Sequence, residues 1–180
     1  MTAKAYRRAN CILRCFASRY NNLYVRAFVV YVRPIFEYSS VVWSPRLKQD
    51  IDQTEKVQRR FTKRLIGMKY LNYDELMHRL GLPSLQLRRL HLDLIFCYKV
   101  DFGLVGVNID DFFEFNHAAN TRGHAYKLFK LRSVNNIENN FAERIVNVWN
   151  GLPPSVSFAS LSTFRRAIQK VDFSQFMKCT

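Results

Sequence analysis

DIDQTEKVQRRFTKRLIGM (Asp50–Met68) reads as an amphipathic helix. Val57, Phe61, Leu65 and Met68 recur at spacings of four, four and three, which puts them on one face. Lys56, Arg59, Arg60 and Lys63, joined by Arg64, cover much of the other face. Asp50 is placed to cap the first turn, with Gln53 three residues on to return the bond. Gly67 is a stop signal, because glycine adopts the left-handed conformation that closes many helices.

On the C-terminal side the helical pattern continues. Asn72 followed by Glu75 is a capping box, and Leu71 and Leu76 are spaced to clasp across it. That short helix is expected to end at Gly81. Ser84, after Pro83, caps a longer one from Leu85 to about Val100. Its apolar residues wrap nearly the whole circumference, which marks a helix in the middle of a core. On the N-terminal side Tyr24, Ala27, Phe28, Tyr31 and Ile35 recur at helical spacing, although the Val and Tyr content also allows a strand. Pro34 predicts a kink or an end near Arg33, and Trp43-Ser44-Pro45 a turn.

Beyond Gly103 the pattern breaks on Gly and Asn. A helical turn is expected at Asp110–Phe115, then an extended excursion over His117–Asn136. This excursion carries Arg122, His124, Lys127, Lys130 and Arg132, with no acid between Phe115 and Ile137. From Ile137 Phe141, Ile145 and Val148 or Trp149 form a stripe that Gly151-Leu152-Pro153-Pro154 stops. Ser160 caps a last helix holding Phe164, Ile168 and Val171, with Arg165, Arg166 and Lys170 outward. The fold class is therefore all-α, a helical bundle with an irregular loop excursion near 103–136. The expected regions are 1–102, 103–136 and 137–180, the last packing on the first or forming one domain with it.

Length and composition fit this. A chain of 180 residues, 48% hydrophobic with 15 Phe, can bury a core and lacks the composition of a disordered chain. Lys and Arg number 28 against 14 Asp and Glu, a formal charge of +14. Lys4, Arg7, Arg8, Arg14, Arg19, Arg26 and Arg33 precede the first acid, Glu37. Such imbalance favours a polyanionic partner, nucleic acid first among them, over a merely solvated basic surface. No apolar run approaches the roughly 20 residues of a membrane-spanning helix, so no membrane partner is expected. The first residues lack the form of a signal peptide and only faintly suggest a mitochondrial transit segment. The chain reads as intracellular, in nucleus or cytoplasm, not secreted, and its four cysteines as reduced thiols. Cys11 and Cys15 lie i,i+4 on a helix and could ligate a metal, but without a second Cys/His pair they read as ordinary helix residues.

Five phrases stand in a fixed order: VRPIFEYSSVVWSP (Val32–Pro45), the Asp50–Met68 helix, LGLPSLQLRRLHLDL (Leu80–Leu94), TRGHAYKLFK (Thr121–Lys130) and FAERIVNVWNGLPPSV (Phe141–Val156). Together they resemble the tail of the open reading frame of non-LTR retrotransposons, the part after the polymerase palm of the reverse transcriptase. The resemblance runs from about Tyr6 to Phe173. It implies a thumb-like helical bundle that grips the template–product duplex, and a parent that is an RNA-directed DNA polymerase. The implied partners are RNA, DNA or their hybrid, and the parent's own palm. Asp50–Met68 would face the nucleic acid through Lys56, Arg59, Arg60, Lys63 and Arg64, helped by Arg122, His124, Lys127 and Lys130. A solvated helix face is the alternative for the first group.

Catalysis is not expected. The family's polymerase signature, an aromatic residue, Ala and two Asp on a strand hairpin, is absent. Asp110-Asp111 is the only acidic pair resembling it and reads as surface acid. His78, His91, His117 and His124 fall in no metal or nucleophile motif. His91 reads as a core-edge residue, and His124 as shaping its loop rather than touching phosphate. Tyr38 and Trp43 could stack on bases but are expected in the core. No cofactor is expected. The other readings are a helical protein-interaction module and a non-functional transposon remnant.

Overall fold

The computed structural model describes residues 1–16, 20–45, 47–107, 113–115, 124–129 and 141–178. Eight α-helices dominate them: α1 Thr2–Cys15, α2 Asn21–Tyr31, α3 Arg33–Glu37, α4 Lys48–Thr62, α5 Tyr73–Leu80, α6 Leu85–Asp101, α7 Phe141–Asn150 and α8 Leu161–Ile168. The mostly helical expectation holds. Two short strands, β1 Glu114–Phe115 and β2 Leu128–Phe129, pair antiparallel with Glu114 opposite Phe129. Residues 114 and 115 are therefore strand, not the end of a helical turn. The rest of that expected turn and most of the 117–136 excursion lie outside the described residues. Among the described residues no helix is long and apolar enough to cross a membrane.

The chain forms two compact units, Met1–Ser40 with Pro45–Arg88 and Val41–Ser44 with Arg89–Lys178, so that one division falls inside α6. The second half of α6 stacks its aromatic residues on later helices.

The first unit holds α1 to α5 and the start of α6. Phe28 and Phe61 meet at 4.6 Å between ring centroids, in a core that includes Ala9, Val32, Leu76 and Leu85. Alanines at 5 and 9 bring α1 close to its neighbours. The chain breaks at Val32, which ends α2 and starts α3, so Ile35 belongs to the second helix. Pro34 sits in the first turn of α3, where its missing N–H costs nothing. The capping box of α5 forms as read: Glu75 N–H donates to Asn72 Oδ1 at 2.8 Å and Asn72 N–H to Glu75 Oε2 at 2.9 Å. Gly81, at φ 61°, closes the helix.

The start of α4 differs from the reading. It begins at Lys48 with Leu47 at the cap position and no side-chain cap. Asp50 lies inside the first turn, where its charge still suits the exposed N–H groups. The helix also ends early, at Thr62. Leu65 and Met68 reach the same core as Val57 and Phe61, but from the turns that follow. Asn21 pins those turns: its side chain donates to Ile66 O and accepts from Ile66 N–H.

The second unit holds the rest of α6, the hairpin, α7 and α8. Tyr98 stacks on Phe102 at 4.2 Å and on Phe164 at 4.8 Å, and Trp149 packs against Phe158 and Phe164. The Asn150 side chain exchanges two hydrogen bonds with the Leu128 backbone, which ties β2 to α7. Ser160 and Thr163 form a complete capping box at α8, which stops at Ile168 and leaves Val171 beyond it.

No residue of α6 is exposed, in line with a central helix. Leu94, Tyr98 and Val100 are buried as read, and so are Arg89 and Asp93, which the reading did not name, while Leu90, Leu92, Ile95 and Phe96 are only half-buried. Asp93 is paired with Arg144 at 3.3 Å, and burial pushes its pKa up to about 6.

Asp101 is pushed up to about 6 by burial, and its buried Oδ2 has no hydrogen-bond partner among the described residues. It also ends α6, where the helix dipole disfavours a negative charge. Its folded pKa lies above its unfolded one, so ionisation opposes folding. That cost is absent below about pH 4 and complete above about pH 6. Asp101→Asn is therefore expected to stabilise the fold at pH 7, by about 1 kcal/mol once solvent screening at this half-buried carboxylate is allowed for. The same substitution should be neutral at pH 4. Urea midpoints at both pH values check it, and a loss of stability at pH 7 would refute it.

Candidate nucleic-acid interface

Helix α4 carries its polar residues on both sides, for different reasons. Inward lie Ile51, Thr54, Glu55, Val57, Gln58, Phe61 and Thr62, all buried. Thr54 and Thr62 return their hydroxyls to the helix's own carbonyls, Ile51 O and Gln58 O. Gln58 and Glu55 bind outside the helix. The Gln58 amide nitrogen donates to Tyr73 Oη at 3.1 Å and Pro83 O at 3.2 Å. Its oxygen accepts from the buried Arg33 guanidinium, which also donates to Pro83 O at 2.7 Å. Tyr73 Oη passes its own proton toward Glu55 Oε2 at 2.6 Å. Glu55 Oε1 accepts the Gln86 N–H at 2.9 Å and so caps α6. Burial lowers the Arg33 pKa and raises those of Glu55 and Tyr73; at Glu55 the bond from Tyr73 works against the rise. This network fixes how α4 is rotated, and hence what it shows to solvent.

Outward lie Lys56, Arg60, Lys63 and Arg64, all exposed. Arg59, read as one of this group, is half-buried. Its guanidinium lies 4.6 Å over the Tyr73 ring and its Nε is buried. It belongs to the inner network as much as to the surface. Four cations thus share one side of α4 and the turn after it.

Helix α1 packs beside α4 in the same unit and extends this face. Arg60 lies 5.5 Å over the Tyr6 ring, and Arg64 donates to Asn10 Oδ1 at 3.0 Å. Lys4, Arg7 and Arg14 are exposed on α1, which holds no acidic residue, whereas Arg8 turns toward α2 and donates to Tyr31 O at 3.1 Å. Two adjoining grooves border the α1–α4 contact, one of about 200 Å³ between α1 and α4 and one of about 350 Å³ between α1, Tyr24 of α2 and Arg64, Leu65 and Ile66 in the turn after α4. Arg64, Asn10 and Leu13 border both of them. Tyr6 and Asn10 were not singled out as site residues in the sequence, and Arg14 stood there only among the N-terminal cations. Their i,i+4,i+8 spacing is the signal that marks them as one stripe of α1.

The remaining candidates lie elsewhere. His124 and Lys127 belong to the second unit, and Arg122 and Lys130 fall outside the described residues. Both His124 ring nitrogens bond to backbone. Nδ1 accepts from Tyr126 N–H at 3.2 Å, so Nε2 donates to Trp149 O at 2.8 Å. Burial lowers its pKa, which favours this neutral form. Tyr38, expected in the core, is 79% exposed, at the C-terminal end of α3 and next to Ser39 with φ 53°. Trp43 is 45% exposed and carries the Arg89 guanidinium at 4.8 Å. His91 packs edge-on against Phe173. Cys11 and Cys15 are exposed with sulfurs 3.6 Å apart, and no group of three or more His, Cys, Asp or Glu gathers among the described residues. Asp110 and Asp111 lie outside those residues. Compared with protein-family models, curated proteins and solved structures, the chain matches none.

Proposed function

We propose that this chain binds RNA, DNA or their hybrid through the phosphate backbone, in the manner of a polymerase thumb, without strong sequence choice. The observation that carries the reading is the cationic face of α4, held outward by a buried network and continued by the acid-free helix α1. Long, exposed cations at helical spacing suit a row of phosphates, through charge-assisted hydrogen bonds and counterion release. The resemblance to the tail of non-LTR retrotransposon reverse transcriptases supports the same partner and places the chain after the palm of such a polymerase. On this reading the chain positions nucleic acid and carries no chemistry of its own.

If Lys56, Arg60, Lys63 and Arg64 each engage one phosphate of a duplex, log K against log salt should slope at roughly −3.6. Reversing Arg60 and Lys63 to Glu should at least halve that slope and weaken binding to every sequence alike. Arg59 is the wrong residue for this test, because its loss would also disturb the inner network. A slope near zero would exclude backbone binding and favour a module that docks an acidic protein.

A further inference from the structure

The form of nucleic acid follows from the groove beside these cations, if the binding reading above holds. A helix face that meets only duplex needs cations on a convex surface, since paired and stacked bases offer it phosphates and little else. Here the cations stand over a concave, partly apolar channel. Ala9, Leu13, Val57 and Phe61 line its smaller cavity, Tyr6 contributes a ring, and Arg60 and Arg64 stand beside them. Phosphates gain nothing from such a lining. A flat ring with an attached anion gains from both parts: its face lies on tyrosine and guanidinium, and its charge meets arginine. The second cavity adds Arg14 and shares Arg64 and Asn10 with the first. One guanidinium at the junction of two cavities sits where the phosphate between two successive nucleotides would lie.

We infer that the two adjoining cavities, one between α1 and α4 and one between α1, α2 and the turn after α4, hold two successive unpaired nucleotides, with a base against Tyr6 and the linking phosphate at Arg64, so that this face prefers single-stranded RNA or DNA to duplex. Stacking contributes about 1–3 kcal/mol per base, and tenfold in affinity is about 1.4 kcal/mol. A preference of about tenfold or more for the single strand is therefore expected at equal salt.

The test uses a short oligonucleotide carrying 2-aminopurine, as a free strand and annealed to its complement, in RNA and DNA forms. The single strands should bind more tightly in both forms, and the 2-aminopurine emission should change on binding. Tyr6→Leu should remove most of the preference, lowering single-strand affinity by about tenfold more than duplex affinity, while Tyr6→Phe, which keeps the ring, should retain it. Equal or tighter binding of duplex would overturn the groove inference and leave the backbone reading standing. A Tyr6→Leu variant that weakens both forms equally would also overturn it, assigning Tyr6 to the fold. Absence of salt-dependent binding to either form would overturn the backbone reading itself.

Discussion

Trp149→Ala is expected to cost about 3–5 kcal/mol, the range for removing a buried aromatic side chain. Trp149 is wholly enclosed and touches His124, Phe158 and Phe164. Its indole N–H also donates to Tyr126 O, and its own carbonyl accepts from His124. Truncation leaves both a cavity and a carbonyl without its donor. A typical domain has only roughly 5–15 kcal/mol in total, so the second unit should sit near its unfolding threshold. Leu94→Ala, at a fully buried position of α6, should fall in the range of about 2–5 kcal/mol. Ile95→Ala should cost less, because Ile95 is only half-buried. Tyr70→Ala, 91% exposed, should move stability by less than about 0.5 kcal/mol. Urea melts rank the four. A Trp149→Ala midpoint no lower than that of Tyr70→Ala would mean that the aromatic cluster is not the core of its unit.

What could be read in the sequence was local. Asn72 with Glu75, and Ser160 before α8, announce helix starts because both partners of each cap lie within three residues. The stripe of Val57 and Phe61 announces the buried side of α4 by period alone. Asp50 misled for the same reason: it is a good capping residue, but the helix had room to start at Lys48. The strand pair joins residues 114–115 to 128–129 across a segment with no periodic signal, so a helical turn was the natural expectation.

The candidate site divides along the same line. The α4 cations were legible from spacing. The inward turn of Arg59 was not, since it depends on Tyr73, and the part played by α1 was not, since it depends on contacts such as Arg64 to Asn10. Both are long-range pairings. Least legible were Arg33, Glu55 and Gln58, which composition assigns to the surface and the fold buries. A polar residue shows no sign in its own sequence neighbourhood of the partner that permits its burial.

Those three residues set the second large effect. Gln58→Leu keeps the volume and the apolar fit but removes both acceptor contacts to Arg33 and the donor to Tyr73 Oη. The guanidinium, 4% exposed, keeps Pro83 O as a hydrogen-bond acceptor. A buried charge that loses a partner is costly, so the expected loss is about 3 kcal/mol. Arg33→Met removes the charge instead and leaves the Gln58 oxygen without its donor, while Pro83 O keeps the Gln58 amide, at about 2 kcal/mol. The double variant Arg33→Met with Gln58→Leu removes charge and acceptor together, so no buried charge is left without a partner, although Pro83 O then loses both of its side-chain donors. Its cost should fall below the sum of the singles by at least about 1 kcal/mol. The measurement is a double-mutant cycle by urea unfolding at pH 7. Additive costs, within about 0.5 kcal/mol, would show that Gln58 does not hold Arg33. The network would then not be what fixes the rotation of α4, and the outward set of Lys56, Arg60 and Lys63 would need another cause.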